Sequence, residues 1–151
     1  MFLAAVARPR WDPHRKKEWD GKVGLWPLTE KYKALRRSKY RTRGEECIRN
    51  IDSINQEDYK SYLLDHVIPA IKLKRPRREK QNVILIQQDN ATPHISPSDP
   101  DDLAAGTADG WNIRLSYQPA NSPDTNTLDL GLFASLQALQ LQQPVYGIQP
   151  A

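Results

Sequence analysis

A run of four apolar residues at positions 83–86 constrains the fold of this chain more than any other segment. Polar residues bound the run, so it predicts a strand over residues 83–88 that ends just before Asp89. Large or apolar side chains recur at helical spacing over residues 56–73, which predicts an amphipathic helix upstream of this strand. A strand reached from an earlier strand through a helix is expected to pair in parallel, and the sequence therefore predicts an α/β fold.

Further strands are predicted on both sides of this unit. Residues 1–7 form an apolar segment that Arg8 and Pro9 close, and residues 22–28 return after a short connection. Two strands so close in sequence are expected to pair antiparallel. Residues 48–51 and 111–117 each predict one more short strand.

The remaining segments predict helices and loops. Asn55 is the expected N-cap of the 56–73 helix, and Pro69 is expected to kink that helix or end its regular part. Leucines recur on one face of residues 127–141, which predicts a second helix. Residues 95–109 are rich in Ser, Pro, Asp and Gly, so we expect a loop or a mobile insertion there.

The composition limits the class of protein. The chain has 151 residues, enough for one domain, but its hydrophobic fraction of 38% and mean hydropathy of −0.72 predict a thin core with many loops. A single cysteine, Cys47, excludes an intrachain disulfide framework and a cysteine zinc site. The apolar residues 1–7 are too few to span a bilayer and lack the features of a signal peptide. We therefore expect an intracellular protein that is neither secreted nor held in a membrane.

Charge is divided unevenly between the two halves of the chain. Residues 1–80 contain 21 Lys and Arg against 11 Asp and Glu, whereas residues 81–151 contain one Arg and seven acids. The net charge of +4 thus conceals a basic half and an acidic half. This division indicates a polyanion-binding surface beside a cation-binding region, or else a solvated basic loop beside an acidic one.

Two segments carry most of the positive charge. Residues 31–43 are expected to form a surface loop or arm, because so many like charges resist packing into a core, and residues 72–80 form a second basic cluster. These cations could neutralise phosphates, and Tyr32 or Tyr40 could stack on bases. The candidate nucleic-acid-binding residues are Lys31, Lys33, Arg36, Arg37, Lys39, Arg41, Arg43, Lys74, Arg75, Arg77 and Arg78.

Two acids stand where metal ligands are often found. Asp89 follows the predicted parallel strand at the carboxyl edge of the sheet, and Asp129 would occupy the third position of a helix capped by Asn126. Hard divalent cations prefer such oxygen ligands on rigid elements. Taken singly, Asp89 also fits an ordinary Asp-Asn turn, and Asp129 an ordinary helix N-terminal acid. His94 could orient a carboxylate or contact substrate, or it could be structural.

The segments around both acids resemble mariner-like transposases of the plant type, which belong to the DDE/D superfamily. The first, IQQDNATPH, covers residues 86–94, and the second, QPANSPDTNTLDLGLF, covers residues 118–133. The 39 residues between Asp89 and Asp129 match the spacing of that family. Residues 1–10, 20–24, 67–72 and 135–137 also look like it, so the likeness covers about residues 1–140.

The resemblance implies a ribonuclease-H-like domain, a mixed sheet flanked by helices, over residues 1–141, followed by an irregular tail over residues 142–151. It implies that Asp89 and Asp129 are catalytic carboxylates that bind Mg²⁺ or Mn²⁺. Asn90 and His94 are the candidates for supporting residues at this site. The implied activity is metal-dependent DNA cleavage and strand transfer during transposition. The implied partner is DNA, and the full-length family also implies a second copy of the same protein. The implied location is the nucleus.

The departures from the family predict an impaired enzyme. The family's first catalytic Asp lies on a central strand, and no residue of this chain matches it, since Asp12 and Asp20 fall in the connection after the first strand. The sheet is therefore expected to be incomplete, as in a fragment, with two exposed strand edges and little or no nuclease activity. Two other functions stay open: a non-catalytic nucleic-acid-binding module that uses residues 31–43 and 72–80, and a structural or interaction fragment.

Overall fold

The computed structural model describes residues 1–13, 16–120, 122, 126 and 128–142, and this part of the chain has a mixed α/β architecture. The predicted α/β class is thereby confirmed. Strands within it pair two by two in four small sheets, whereas one mixed sheet was expected. No helix among the described residues is long and apolar enough to cross a lipid bilayer.

The first sheet pairs strand β1 (Phe2–Val6) with strand β4 (Lys22–Pro27). The pairing is antiparallel, as predicted, and the register shifts between Ala5 and Val6. The connection between them forms a hairpin of its own, in which β2 (Arg10–Asp12) pairs with β3 (Lys17–Trp19).

The basic segment 31–43 is only partly a loop. Strand β5 (Thr29–Lys33) pairs antiparallel with β6 (Glu46–Asn50), so of the two predicted forms, a surface loop or an arm, residues 31–33 belong to an arm. Both strands are largely exposed, and their charged side chains reach water without entering a core. We name residues 29–50 the basic arm.

The predicted helix over residues 56–73 is present in three parts. Helix α1 (Gln56–Tyr62) continues through a π-helical turn (Leu63–Val67) into α2 (Ile68–Lys74). Asn55 caps the start in a reciprocal capping box with Asp58, as predicted. The π turn ends two residues before Pro69, which has no N–H to donate to a carbonyl one turn earlier, so the regular helix is interrupted in that turn.

Strand β7 (Ile84–Gln88) is parallel, as predicted, but its partner is a later strand. It pairs with β8 (Ile113–Tyr117), and the crossover between them contains helix α3 (Pro100–Thr107). The expected loop is therefore wrong for residues 100–107, whereas residues 95–99 are irregular as predicted. Asp99 caps α3 and Pro100 begins it, so residues typical of turns here start a helix.

The C-terminal segment turns into a helix as expected. A π-helical turn (Leu128–Leu132) leads into α4 (Phe133–Gln142). The predicted irregular tail covers residues 142–151. Of these, residues 143–151 lie outside the described residues.

The core forms where the helices cover the strands. We call the helix that runs from α1 through the π turn into α2 the central helix. Its residues Leu63, Val67 and Ile68 are buried against Ile113 and other residues of β7, β8 and β4. Each such side chain contributes about 1.5–3 kcal/mol by its removal from water. This packing fixes β7 and β8, and it thereby fixes the position of the residues that follow them.

Candidate functional site

The carboxyl ends of β7 and β8 meet side by side. Gln118, which follows β8, donates its backbone N–H to the carbonyl of Gln88 at 2.7 Å. The Asn90 side chain donates to the carbonyl of Gln118 at 3.2 Å and joins the two strand ends a second time. Residues at this edge are therefore held by the sheet, which suits a site whose ligands must be placed accurately.

Asp89 occupies this edge in a fixed orientation. Its Oδ1 accepts a hydrogen bond from the backbone N–H of Ala91 at 2.9 Å. The Nδ1 of His94 lies 2.9 Å from the same oxygen and 2.8 Å from the backbone carbonyl of Asp89. The carboxylate is 45% exposed, and Oδ2 takes no part in these bonds. Asp89 can thus present one oxygen to a ligand while the other fixes the side chain.

A buried polar network supports the position of His94. Its ring packs on Tyr59 with 4.4 Å between ring centres, and its own side chain is 17% exposed. The Tyr59 hydroxyl donates to Oε1 of buried Gln88 at 3.1 Å, and Nε2 of Gln88 donates to the carbonyl of Ile95 at 2.6 Å. Every link runs through a buried or half-buried group, so the network stiffens the support of Asp89.

Burial shifts the acid–base behaviour of Tyr59. Removal from water, with a smaller effect of the negative charges on Asp89 and Asp102, raises the pKa of Tyr59 to about 12. The hydroxyl therefore stays protonated and acts as a hydrogen-bond donor to Gln88. It is a supporting group and not a base at neutral pH.

A cavity of about 400 Å³ opens beside Asp89. Asp89, His94 and Gln118 line it from the strand ends, and Asn126 and Leu128 line it from the C-terminal segment. The structure thus brings the two segments that the sequence singled out to one cavity.

Asp129 follows Leu128 directly in the helical turn. The Asn126 side chain accepts a hydrogen bond from the backbone N–H of Leu128 at 3.2 Å, and this bond holds the start of the turn. The side chain of Asp129 lies outside the described part of the structure.

A carboxylate oxygen such as Oδ2 of Asp89 suits a hard divalent cation better than a soft one. Asp129 is the second acid that the sequence singled out, and its backbone follows Leu128, which lines the cavity. Among the described residues, no three His, Cys, Asp or Glu side chains cluster as a complete metal site would require. Oδ2 of Asp89, which takes no part in the bonds to Ala91 and His94, is a donor of the kind that Mg²⁺ or Mn²⁺ prefers.

The basic residues are distributed over two separate surfaces. All seven predicted cations of the basic arm are exposed. Arg41 donates to the Tyr32 hydroxyl at 2.7 Å, and Arg49 lies over the Tyr32 ring, so this ring is already covered. Tyr40 is 85% exposed, and the ammonium of its neighbour Lys39 lies 5.5 Å from the centre of its ring.

The second basic cluster is partly used inside the protein. Arg75 pairs with Glu79 at 3.1 Å, and Arg10 pairs with the same carboxylate at 2.6 Å. These two guanidinium groups lower the pKa of Glu79 against the opposing effect of burial, which is the largest single influence. Arg77 and Arg78 remain exposed.

The sequence pattern does not indicate the supporting network. Helical spacing places Tyr59 on the apolar face of its helix, and Gln88 is the polar end of a predicted strand, but neither pattern predicts the bond between them. The only signal was a glutamine pair directly before Asp89, which is not specific.

No protein-family model, curated protein or solved structure matches this chain.

Proposed function

We propose that this chain derives from the catalytic domain of a DNA transposase similar to the plant-type mariner-like family. In this proposal, Asp89 and Asp129 are two of the metal-binding carboxylates of that catalytic domain. The observation that supports it best is the cavity at the ends of β7 and β8, which Asp89 lines on one side and Asn126 and Leu128 on the other.

The proposed fold is an incomplete ribonuclease-H-like domain. Its support is an antiparallel pair, β1 with β4, and a parallel pair, β7 with β8, packed on one helical layer. Asp89 follows β7, where α/β folds commonly place their ligands. DNA is the proposed substrate and the nucleus the proposed location.

The chain's own residues have separate tasks in this proposal. Asp89 would hold the cation, with Oδ2 available as the ligand atom because Ala91 and His94 hold Oδ1. Asn90 fixes the strand end that carries it. When bound, Mg²⁺ or Mn²⁺ would activate a water or a 3′-hydroxyl for attack on a phosphodiester. Two carboxylates without a third hold a cation weakly, so the proposed activity of these 151 residues is low.

Plasmid nicking tests the catalytic proposal. We expect weak, Mg²⁺-dependent nicking of supercoiled DNA that Asp89→Asn and Asp129→Asn each abolish. Asp109→Asn is the matched control, because it removes the same charge from a side chain that is 77% exposed. Nicking that survives in both site variants would come from elsewhere and would contradict the proposal.

A second candidate function is nucleic-acid binding without cleavage. The basic arm carries exposed cations on both strands and on the loop that joins them, and Tyr40 is largely exposed on the same arm. Such a surface can neutralise phosphates and stack on a base.

A salt titration tests this second function. Replacing Arg36 and Arg37 by Gln is expected to lower the slope of log affinity against log salt by about 1 for each phosphate that the variant no longer neutralises. The control replaces Lys16 and Lys17 by Gln, which removes the same charge from the β2–β3 hairpin. Equal slopes in both double variants would assign the binding to net charge and not to the arm.

A further inference from the structure

Residues 31–44 of the basic arm carry positive charge that no acid within the same segment balances. They contain seven Lys and Arg and no Asp or Glu, and the acids that flank them are Glu30 and Glu45. Two hydroxyl-bearing residues, Ser38 and Thr42, stand among these cations, and both are exposed. Basic residues flank each of them on both sides, so composition does not distinguish them. Their hydrogen bonds do distinguish them.

Ser38 lies at the tip of the arm. Its backbone N–H donates to the carbonyl of Arg41 at 2.9 Å, and the two residues form an isolated antiparallel bridge around Lys39 and Tyr40. The backbone N–H of Tyr40 donates to Oγ of Ser38 at 3.4 Å, and the hydroxyl itself donates to no group among the described residues. Tyr40 is 85% exposed and Leu35 is 87% exposed, so little packing holds the tip closed. An enzyme can therefore reach the Ser38 hydroxyl.

Thr42 has a different environment. Its backbone N–H donates to Oε2 of Glu45 at 2.6 Å, and its hydroxyl donates to the same oxygen at 3.0 Å. These two bonds, the backbone bond first, hold the pKa of Glu45 below its usual range. The carboxylate is therefore ionised at neutral pH and would repel a phosphate on Thr42. A reaction that adds a phosphate to this tip is thus expected to select Ser38.

A phosphate on Ser38 would meet a cation that is already in place. Residues directly opposite each other in an antiparallel bridge share a face, with Cβ atoms about 4.5–5.5 Å apart, so the side chain of Arg41 lies beside that of Ser38. The Arg41 guanidinium donates to the Tyr32 hydroxyl at 2.7 Å and has further N–H groups for an anion. Guanidinium groups bind phosphate through paired hydrogen bonds.

We propose that Ser38 is a phosphorylation site for a protein kinase that selects serines among basic residues, and that its phosphate weakens nucleic-acid binding by the basic arm. The cations on both sides of Ser38 suit a kinase with an acidic substrate cleft. Oγ of Ser38 attacks the γ-phosphorus of ATP, the bond to the β-phosphate oxygen breaks, and ADP leaves. The hydroxyl proton passes to the catalytic Asp of the kinase.

The phosphate acts on the arm in two ways. It adds between about −1.5 and −2 charges, and it pairs with Arg41, which is then withdrawn from a polyanion. This regulation rests on the second function proposed above, whereas the modification itself does not.

Mass spectrometry of the full chain tests the modification. A kinase domain that prefers basic substrates, supplied with Mg²⁺ and ATP, is expected to add one phosphate to the wild type and none to Ser38→Ala. Thr42→Val is the matched control, because it removes the other hydroxyl of the tip, and it is expected to keep full incorporation. Absence of incorporation, or incorporation at Thr42 in place of Ser38, would overturn the assignment.

A salt titration of duplex DNA tests the regulation without a kinase, on a chain made with phosphoserine in place of Ser38. We expect at least about tenfold weaker binding, and a slope of log affinity against log salt that is lower by about 2. The control carries phosphoserine in place of Ser53, which is exposed outside the arm, and its slope is expected to match that of the unmodified chain.

Phosphorus NMR tests the pairing with Arg41 independently of DNA. The second pKa of the phosphate on Ser38 is expected to lie below that of the phosphate on Ser53, because the guanidinium stabilises the dianion. Arg41→Gln is expected to reduce this difference.

Two results of the titration would overturn the regulation. One is unchanged affinity with the phosphate on Ser38, and the other is an equal loss with the phosphate on Ser53, which would assign the effect to net charge. An unmodified chain without salt-dependent affinity for DNA would contradict the second function and the regulation together. Incorporation at Ser38 and the phosphate pKa would still decide the modification.

Discussion

The carboxylates of Asp89, at the end of β7, and of Asp102, in the first turn of α3, have opposite surroundings. Asp89 is half-exposed, and hydrogen-bond donors hold one of its oxygens. Asp102, in the first turn of α3, is 1% exposed, and its Oδ1 has no hydrogen-bond partner among the described residues. Asp89 thus keeps one oxygen outside its local hydrogen bonds, whereas the burial of Asp102 makes a charge on that carboxylate costly for stability.

The neighbours of Asp102 explain the difference. Lys60 bridges Asp99 at 2.9 Å and Asp101 at 2.7 Å, but the ammonium forms no such pair with Asp102. Burial, and then the negative charge on Asp99, raise the pKa of Asp102 from 3.8 to about 6. An acid whose pKa rises on folding stabilises the native state only while it is protonated.

The largest predicted effect is therefore a loss of stability as the pH rises. The contribution of Asp102 is complete below pH 3.8, falls between pH 3.8 and about 6, and is constant above that. The rise in the pKa of Asp102 from 3.8 to about 6 corresponds to roughly 3 kcal/mol of unfolding free energy. Urea unfolding of the wild type and of Asp102→Ala from pH 4 to 7 measures it. Curves that stay parallel across this range would refute the assignment.

The next largest effect concerns the packing of α3 on β8. A Cβ at Gly106 would lie 2.3 Å from the backbone carbonyl oxygen of Ile113, which cannot give way easily. Gly106→Ala is expected to cost about 1–3 kcal/mol through overpacking. Helix propensity alone predicts a gain of roughly 0.5–1 kcal/mol, so the sign of the change measured in urea decides between them.

A smaller effect is expected at the support of Asp89. Tyr59→Phe leaves Oε1 of buried Gln88 without its donor and should cost about 1–2 kcal/mol. Tyr62→Phe is the matched control, since its hydroxyl bonds a carbonyl in a more exposed place. Equal losses in both variants would show that the Tyr59–Gln88 bond has no special role.

The smallest effect on stability is expected at Asp89 itself. Asp89→Asn keeps an oxygen that can accept from Ala91, and the side chain is half in water, so the change should stay within about 0.5 kcal/mol. Thermal unfolding measures it. A loss as large as that at Tyr59 would place Asp89 among structural residues.

Local signals in the sequence were enough for some of these features. Asn55 caps its helix, and the apolar run before Asp89 forms a parallel strand, because short-range hydrogen bonds and burial decide both. Helix α3 was missed because Asp99 and Pro100 serve equally well in a turn and at a helix start. The strand over residues 29–33 was missed because a two-stranded arm exposes both faces and accepts charge on each.

Other features depend on contacts between distant parts of the chain. The burial of Asp102 follows from α3 packing on β8, and no pattern within residues 95–109 indicates it. The Tyr59–Gln88 bond joins residues 29 positions apart.

Manganese binding tests the central claim most directly, namely that Asp89 and Asp129 bind one divalent cation together. Electron paramagnetic resonance counts free Mn²⁺ during a titration and needs no catalysis. We expect one site in the wild type, at least tenfold weaker binding (about 1.4 kcal/mol) in Asp89→Asn and in Asp129→Asn, and no change in Asp109→Asn. Identical binding in all four proteins would contradict the shared site.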